Sequence, residues 1–147
     1  MNRILIASDG SECAGQALEQ GLSIATDVGA AVTVLYVRRT PSDYLEDPHY
    51  QDFLTEESRH AGLVIDDAKQ RAAESDLEID YEVVEGDAVE EILKVARSRQ
   101  VDLIVVGSRG LGSFSSLMLG SVSTALLHQA DRPVLVAKTP VSAAAAV

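Results

Sequence analysis

Three short apolar runs punctuate the chain: Ile4–Ala7, Ala31–Val37 and Leu103–Val106. Runs of this length, closed by turn signals, predict strands buried on both faces. The first extends back to Asn2 and ends in Ser8-Asp9-Gly10-Ser11, a turn whose Ser11 is placed to N-cap a helix. Ala14, Leu18, Gly21, Ala25 and Val28 recur at helical spacing, and Gly29 closes this first helix over Glu12–Val28. Arg38–Thr55 mixes Pro41, Pro48, Asp and Tyr without a clean period and reads as a loop or flap. Glu56–Ser75 is amphipathic, with Ala61, Val64 or Ile65, Ala68 and Ala72 on one stripe. Leu77–Val84 alternates, Leu77, Ile79, Tyr81 and Val83 against Glu78, Asp80 and Glu82, as an edge strand with one wet side does. Asp87 and Glu90 have the spacing of a capping box, and Val89, Ile92 or Leu93, and Ala96 continue a third helix. Gly120–Gln129 reads as a fourth helix, and Pro133–Lys138 as a last strand with Pro133 at its first position.

Strands alternating with helices predict a single α/β domain, a Rossmann-like, doubly wound, five-stranded parallel sheet with right-handed crossovers and helices on both faces. The domain spans residues 1–140, and residues 141–147, ending in Ala143–Val147, are expected to form a frayed tail. In such a sheet, ligands bind outside the carboxyl ends of the strands where the strand order reverses. With the first strand central and the third at an edge, that crevice lies between strands one and four. Asp9 and its turn line one side, and the loop after Val106 lines the other.

Composition narrows the partners. The 147 residues carry 12 Lys+Arg against 23 Asp+Glu, a net charge of −11, with 46% hydrophobic and 4% aromatic residues. A chain this apolar folds, while its acidity and lack of stacking aromatics argue against nucleic acid and against an anionic membrane surface. The lone Cys13 excludes an internal disulfide and multi-cysteine metal motifs. Ile4–Ala7 is too short for a signal-peptide core, and residues 110–127, with eight Gly or Ser, make no transmembrane helix. A soluble cytoplasmic domain is expected. The acids are also unevenly placed: residues 43–91 hold 17 acids and three bases, whereas residues 103–130 hold no acid and Arg109 as their only formal positive charge. A buried, Gly-rich segment is poor in charge anyway; the alternative is that acids are kept away from a bound anion.

Residues 107–112 form Gly107-Ser108-Arg109-Gly110-Leu111-Gly112, after a buried strand and ahead of a helix that starts at Gly120. Glycines admit an oxyanion close to the backbone, and a helix start adds unpaired N–H donors with about half a positive charge. Arg109 could add a fork of donors. A phosphate-bearing ligand fits this pattern, and tight packing and turns are the plainer alternative. The P-loop, the dinucleotide fingerprint and the hydrolase elbow all fail: Ser113-Phe114 follows the glycines where a P-loop needs Lys and Ser/Thr, the first turn has one glycine, and no G-x-S-x-G occurs. His49 and His60, set among acids, match no metal-ligand spacing and read as solvated; Cys13 reads as a small packing residue and His128 as a helix-end partner. Asp9, a carboxylate at a strand's carboxyl end, is the strongest single candidate for function.

Gly107-x2-Gly110-x9-Gly120-Ser121 resembles the G-x2-G-x9-G-[S/T] signature of ATP-binding universal stress proteins. Asp9-Gly10-Ser11, the Val34–Val37 strand, Gly120–Ser123 and Arg132–Val136 resemble further landmarks of that family, so the likeness runs from Ile4 to about Lys138. It implies strand order 3-2-1-4-5 and a homodimer pairing through Pro133–Lys138. It also implies ATP, with Mg²⁺ or Mn²⁺, as the ligand. By matching position, Ala7, Ser8 and Asp9 would meet the adenosine end and the Val37 backbone the adenine edge. Gly107, Gly110 and Gly112 would wrap the ribose and phosphates, and Gly120, Ser121, Val122 and Ser123 would hold the phosphates. Arg109 joins these on chemical grounds. The function so implied is a nucleotide-dependent regulatory or stress-response module; a slow ATPase or nucleotidyl transferase, and a dimerisation module with an empty crevice, are the alternatives. Hydrolysis needs a residue to position water, and Asp9, the one candidate, falls at the nucleoside end.

Overall fold

Alternate side chains of a strand face opposite sides of its sheet, so strands without polar residues need cover on both sides. The computed structural model, which describes residues 1–38, 47–108 and 119–138, supplies that cover with helices. The elements are β1 (Arg3–Ala7), α1 (Glu12–Val28), β2 (Ala31–Arg38), α2 (Tyr50–Arg71) and β3 (Ile79–Glu85), followed by α3 (Ala88–Ser98), β4 (Leu103–Gly107), α4 (Ser121–Gln129) and β5 (Val134–Ala137). Every pairing is parallel, and the order is β3-β2-β1-β4-β5, as expected. β1 is central, with Ile4 opposite Val32 on one side and Leu103 on the other. Ile4, Ile6, Val34 and Val105 pack under Ala17 and Leu18 of α1 and Ala68 of α2. Leu5, Leu35, Ile104 and Val106 face the other way, under Ile92 and Leu93 of α3 and Leu126 of α4. Each fully buried Ile, Leu or Val contributes about 1.5–3 kcal/mol of hydrophobic stabilisation before the entropy of ordering it is charged.

The caps follow the sequence. Ser11 accepts a hydrogen bond from the Ala14 N–H at 3.2 Å, Gly29 ends α1 in the left-handed region, and Asp87 accepts from the Glu90 N–H at 3.0 Å. The main departure is α2, which begins at Tyr50 rather than Glu56 and ends at Arg71 rather than Ser75. Residues 50–55 are helix instead of loop, and Asp47-Pro48-His49 is the turn before them: the Asp47 carboxylate accepts from the His49 N–H at 2.7 Å, and His49 is the N-cap without a side-chain hydrogen bond. The region beyond Arg71 turns, with the Ser75 hydroxyl donating to the Ala72 carbonyl. β3 also differs, because Val83 is exposed and Val84 packs on the α3 side while Ile79 and Tyr81 pack on the α1/α2 side. Helices cover part of both faces, and Arg99, just past α3, reaches Asp80 and Glu82 at 2.9 Å each. Remaining boundaries shift by a residue or two: Pro133 precedes β5 but still accepts from the Ile104 N–H, and Gly120 is the N-cap of α4 rather than its first residue.

Candidate functional site

β1 sends its chain to β2 on one side and lies against β4 on the other, so the strand order reverses there and a crevice opens at the carboxyl ends. Its volume is about 350 Å³, within the usual range for a small-molecule site. Nine expected residues line it: Ala7, Ser8, Asp9, Val37, Gly107, Gly120, Ser121, Val122 and Ser123. Arg109, Gly110 and Gly112 lie outside the described residues.

Two turns shape the crevice. In the β1–α1 turn the Asp9 carboxylate accepts from the Ser11 N–H at 2.9 Å, and Gly10 takes φ +83, a conformation that favours glycine. At the end of β4 the Ser108 N–H donates to the Ala137 carbonyl, while the Ser108 carbonyl accepts from the Gly120 N–H at 2.6 Å and the Ser123 hydroxyl at 3.2 Å. The start of α4 is thereby fixed to the end of β4. Ser123 is buried and its hydroxyl is spent on the Ser108 and Gly120 carbonyls, so its side chain braces the site, whereas Ser121 is exposed. Gly107 has a second task. A Cβ there would stand 2.7 Å from the Cys13 carbonyl, so glycine lets β4 lie against the first turn of α1.

The crevice has two unlike walls. On the α3/α4 side, Gly120 caps α4 without a side-chain hydrogen bond, and the first turn, Ser121–Ser123, faces the cavity with the positive end of the helix dipole. Ala88 and Ile92 of α3 and Leu35 and Val106 of the sheet add apolar surface. On the α1/α2 side stand Asp9, Tyr36, Glu57 and His60. Tyr36 is buried, edge-on to His60 with ring centroids 5.6 Å apart. Burial first, then the negative charges of Glu57 and Asp9, push its phenol above the ordinary tyrosine value. His60 thus differs from the solvated residue expected, because its ring fits against Tyr36 and beside Gly10; His49 is largely exposed, as expected. Tyr36, Glu57 and His60 were not foreseen as site residues. Among the described residues no Lys or Arg lines the crevice, and no group of three or more His, Cys, Asp or Glu is placed to hold a metal ion. No helix among them is long and apolar enough to cross a membrane.

Residues 1–138 match the model of the universal stress protein family. The universal stress protein YxiE of Bacillus subtilis (strain 168) is 33% identical over 147 aligned residues, covering 93% of this chain and 99% of YxiE. The solved structure of MJ0577 from Methanocaldococcus jannaschii superposes with a TM-score of 0.83 at 26% identity, covering 96% of this chain and 98% of that one. Two more distant structures share the fold. One is a universal stress protein in complex with cAMP (TM-score 0.74, 24% identity, 95% and 98% coverage). The other is the Arabidopsis thaliana family protein At3g01520 with AMP bound (TM-score 0.71, 18% identity, 95% and 93% coverage).

Proposed function

Because the chain belongs to the universal stress protein family, we propose that it is a nucleotide-dependent regulatory module whose crevice holds an adenine nucleotide, ATP in the first place. The observation that carries this reading is the division of the crevice into an anion-accepting wall at the α4 start and an acidic wall at Asp9 and Glu57. Such a cavity suits a molecule with phosphates at one end and neutral hydrogen-bond donors at the other. The donor set fits the ligand: the first-turn N–H groups of α4 and the Ser121 hydroxyl for phosphate, apolar Leu35, Ile92 and Val106 for a base, and Asp9 for donors on the nucleoside. The cAMP and AMP carried by two proteins of the same fold support a nucleotide over other anions. A divalent cation would be held by the phosphates themselves, since three adjacent carboxylate or histidine ligands are not found among the described residues. Assembly as a homodimer through the β5 edge belongs to the same proposal. That strand is the sheet's outer edge, with Val134, Leu135 and Val136 half-buried in the single chain.

Mass spectrometry of the small molecules released on denaturing the purified protein should show an adenine nucleotide, and calorimetry should show ATP binding. Ser121→Asp separates binding from folding. A carboxylate in the first turn of a helix stabilises it by about 0.3–1 kcal/mol, yet it repels phosphate at the same place. The variant should be at least as stable as the parent and bind ATP at least tenfold more weakly; unchanged affinity rules out α4 as the phosphate wall.

A further inference from the structure

The acidic wall has a consequence for ligand choice. Asp9 comes from the β1–α1 turn and Glu57 from the first half of α2, and both line the crevice on the α1/α2 side. Tyr36 stands between β2 and α2 on the same side, where both carboxylates act on its hydroxyl. The α4 start lies across the sheet edge, on the α3/α4 side. Arg38, the nearest cation along β2, does not line the cavity and is engaged by Glu85 at 3.0 Å and Ser58 at 3.2 Å. Its charge opposes theirs at the Tyr36 hydroxyl, but it is the weakest of the three there, so the carboxylates prevail on this side.

We propose that Glu57, acting with Asp9, is a specificity-determining residue that excludes nucleotides carrying a second, separate phosphate group on the ribose, so that the crevice takes nucleotides with one phosphate or one phosphate chain. This rests on the nucleotide reading above and adds which nucleotides are refused. The physical ground is charge. A 5′-phosphate chain can reach the α4 start, but a phosphate on the 2′ or 3′ oxygen stays at the nucleoside end beside two carboxylates in a partly dewatered cavity, where like charges repel more strongly than in water. The same carboxylates accept hydrogen bonds from free 2′ and 3′ hydroxyls, so removal of the extra phosphate converts a repulsion into an attraction. Glu57 is the informative member, because Asp9 also organises its own turn through the Ser11 N–H, whereas Glu57 projects from a helix surface and can be neutralised without loss of a turn contact.

The test compares AMP with adenosine 3′,5′-bisphosphate, which differ only in the ribose phosphate, by calorimetry on the full chain in 50 mM KCl. The parent should bind AMP at least tenfold more tightly, which corresponds to about 1.4 kcal/mol. Glu57→Gln should narrow that ratio to about threefold, chiefly by tightening the bisphosphate, and 500 mM KCl should narrow it in the parent, because the Debye length falls with salt. AMP binding with equal affinity for the bisphosphate, or a ratio indifferent to Glu57→Gln, overturns the selectivity and leaves the nucleotide site standing. Failure of the parent to bind AMP, ATP or the bisphosphate overturns both. A melting temperature for Glu57→Gln equal to the parent's shows that the change acts on the ligand and not on the fold.

Discussion

Gly107 belongs to the glycine signature, and its first duty is packing. It is the last residue of β4, and a Cβ built on it would lie 2.7 Å from the carbonyl carbon and oxygen of Cys13 and 2.9 Å from the Ala14 nitrogen, well inside the 3.4 Å at which ordinary contact begins. All three obstacles are backbone atoms of the first turn of α1, so no rotamer change can relieve the clash; either β4 or the start of α1 must move. Overpacking of a tight core costs about 1–3 kcal/mol, and a backbone obstacle places Gly107→Ala near the upper end, about 3 kcal/mol. For a domain of this size each kcal/mol moves the melting temperature by about 2–4 °C, which gives a fall of about 6–12 °C. Urea unfolding followed by far-ultraviolet circular dichroism, with bound nucleotide stripped, measures this directly: the midpoint should drop and the slope stay constant. Were Gly107 needed only to admit phosphate, the stripped Gly107→Ala protein would melt like the parent and lose affinity alone. A melting temperature within about 1 °C of the parent's would refute the packing argument, since even one kcal/mol should shift it more.

Other expectations follow from single contacts. Ser123→Ala removes a buried hydroxyl from the Ser108 and Gly120 carbonyls and should cost about 1 kcal/mol in urea unfolding, because the Ser108 carbonyl keeps its bond from the Gly120 N–H. Arg132 donates through Nη1 to the carbonyls of Ala96 and Val101, both at 2.9 Å, tying the end of α3 to the approach to β4; Arg132→Ala removes both donors and should cost about 1–2 kcal/mol in the same assay. Tyr36 retains its proton longer in the folded protein than in the unfolded chain, so its contribution is complete below about pH 10 and is lost as pH rises through the higher folded value. Tyr36→Phe should flatten the alkaline fall of the melting temperature and remove one late-titrating phenol from the absorbance at 295 nm; an unchanged alkaline profile would show that Tyr36 titrates as an ordinary tyrosine.

The fold was legible because its signals are local and repeated. Ile4–Ile6 and Leu103–Val106 have no polar side to offer, which requires helices on both faces, and Ser11, Gly29 and Asp87 cap where hydrogen-bond chemistry places them. The start of α2 was hidden because Pro48 and its acidic neighbours read as loop residues, and the N-cap, His49, makes no side-chain hydrogen bond that would mark a helix start. The site was half legible. Its β1, β4 and α4 components lie beside glycines and turns, which leave a mark in sequence. Glu57 and His60 leave none, since on a strongly charged helix a site-facing Glu looks like any solvated one; only their placement three residues apart, ahead of the Ala61–Val64–Ala68 stripe, put them on the inner side. Tyr36 carried a weak signal, as the one hydroxyl-bearing aromatic in an apolar strand whose neighbours Leu35 and Val37 face the opposite helices.

The distribution of charge gains a different meaning once the chain is folded. Along the sequence, residues 43–91 hold 17 acids and residues 103–130 none, which suggests that acids are kept away from phosphate by chain segment. In space the separation is by wall. Asp9, from outside the acidic block, and Glu57, from within it, both reach the crevice, and no other Asp or Glu among the described residues lines it. Several of the remaining acids are paired with arginines away from the cavity: Glu56 with Arg59, Asp67 with Arg71, Asp80 and Glu82 with Arg99, Glu85 with Arg38. What the α4 start requires is freedom from carboxylates on its own side of the sheet, and β4 and α4, which help build that side, carry none. The two carboxylates opposite do not cancel the α4 dipole, since a charge acts most strongly within the first turn or so; in the proposed complex they would orient the nucleotide instead, favouring phosphate at one wall and hydroxyls at the other.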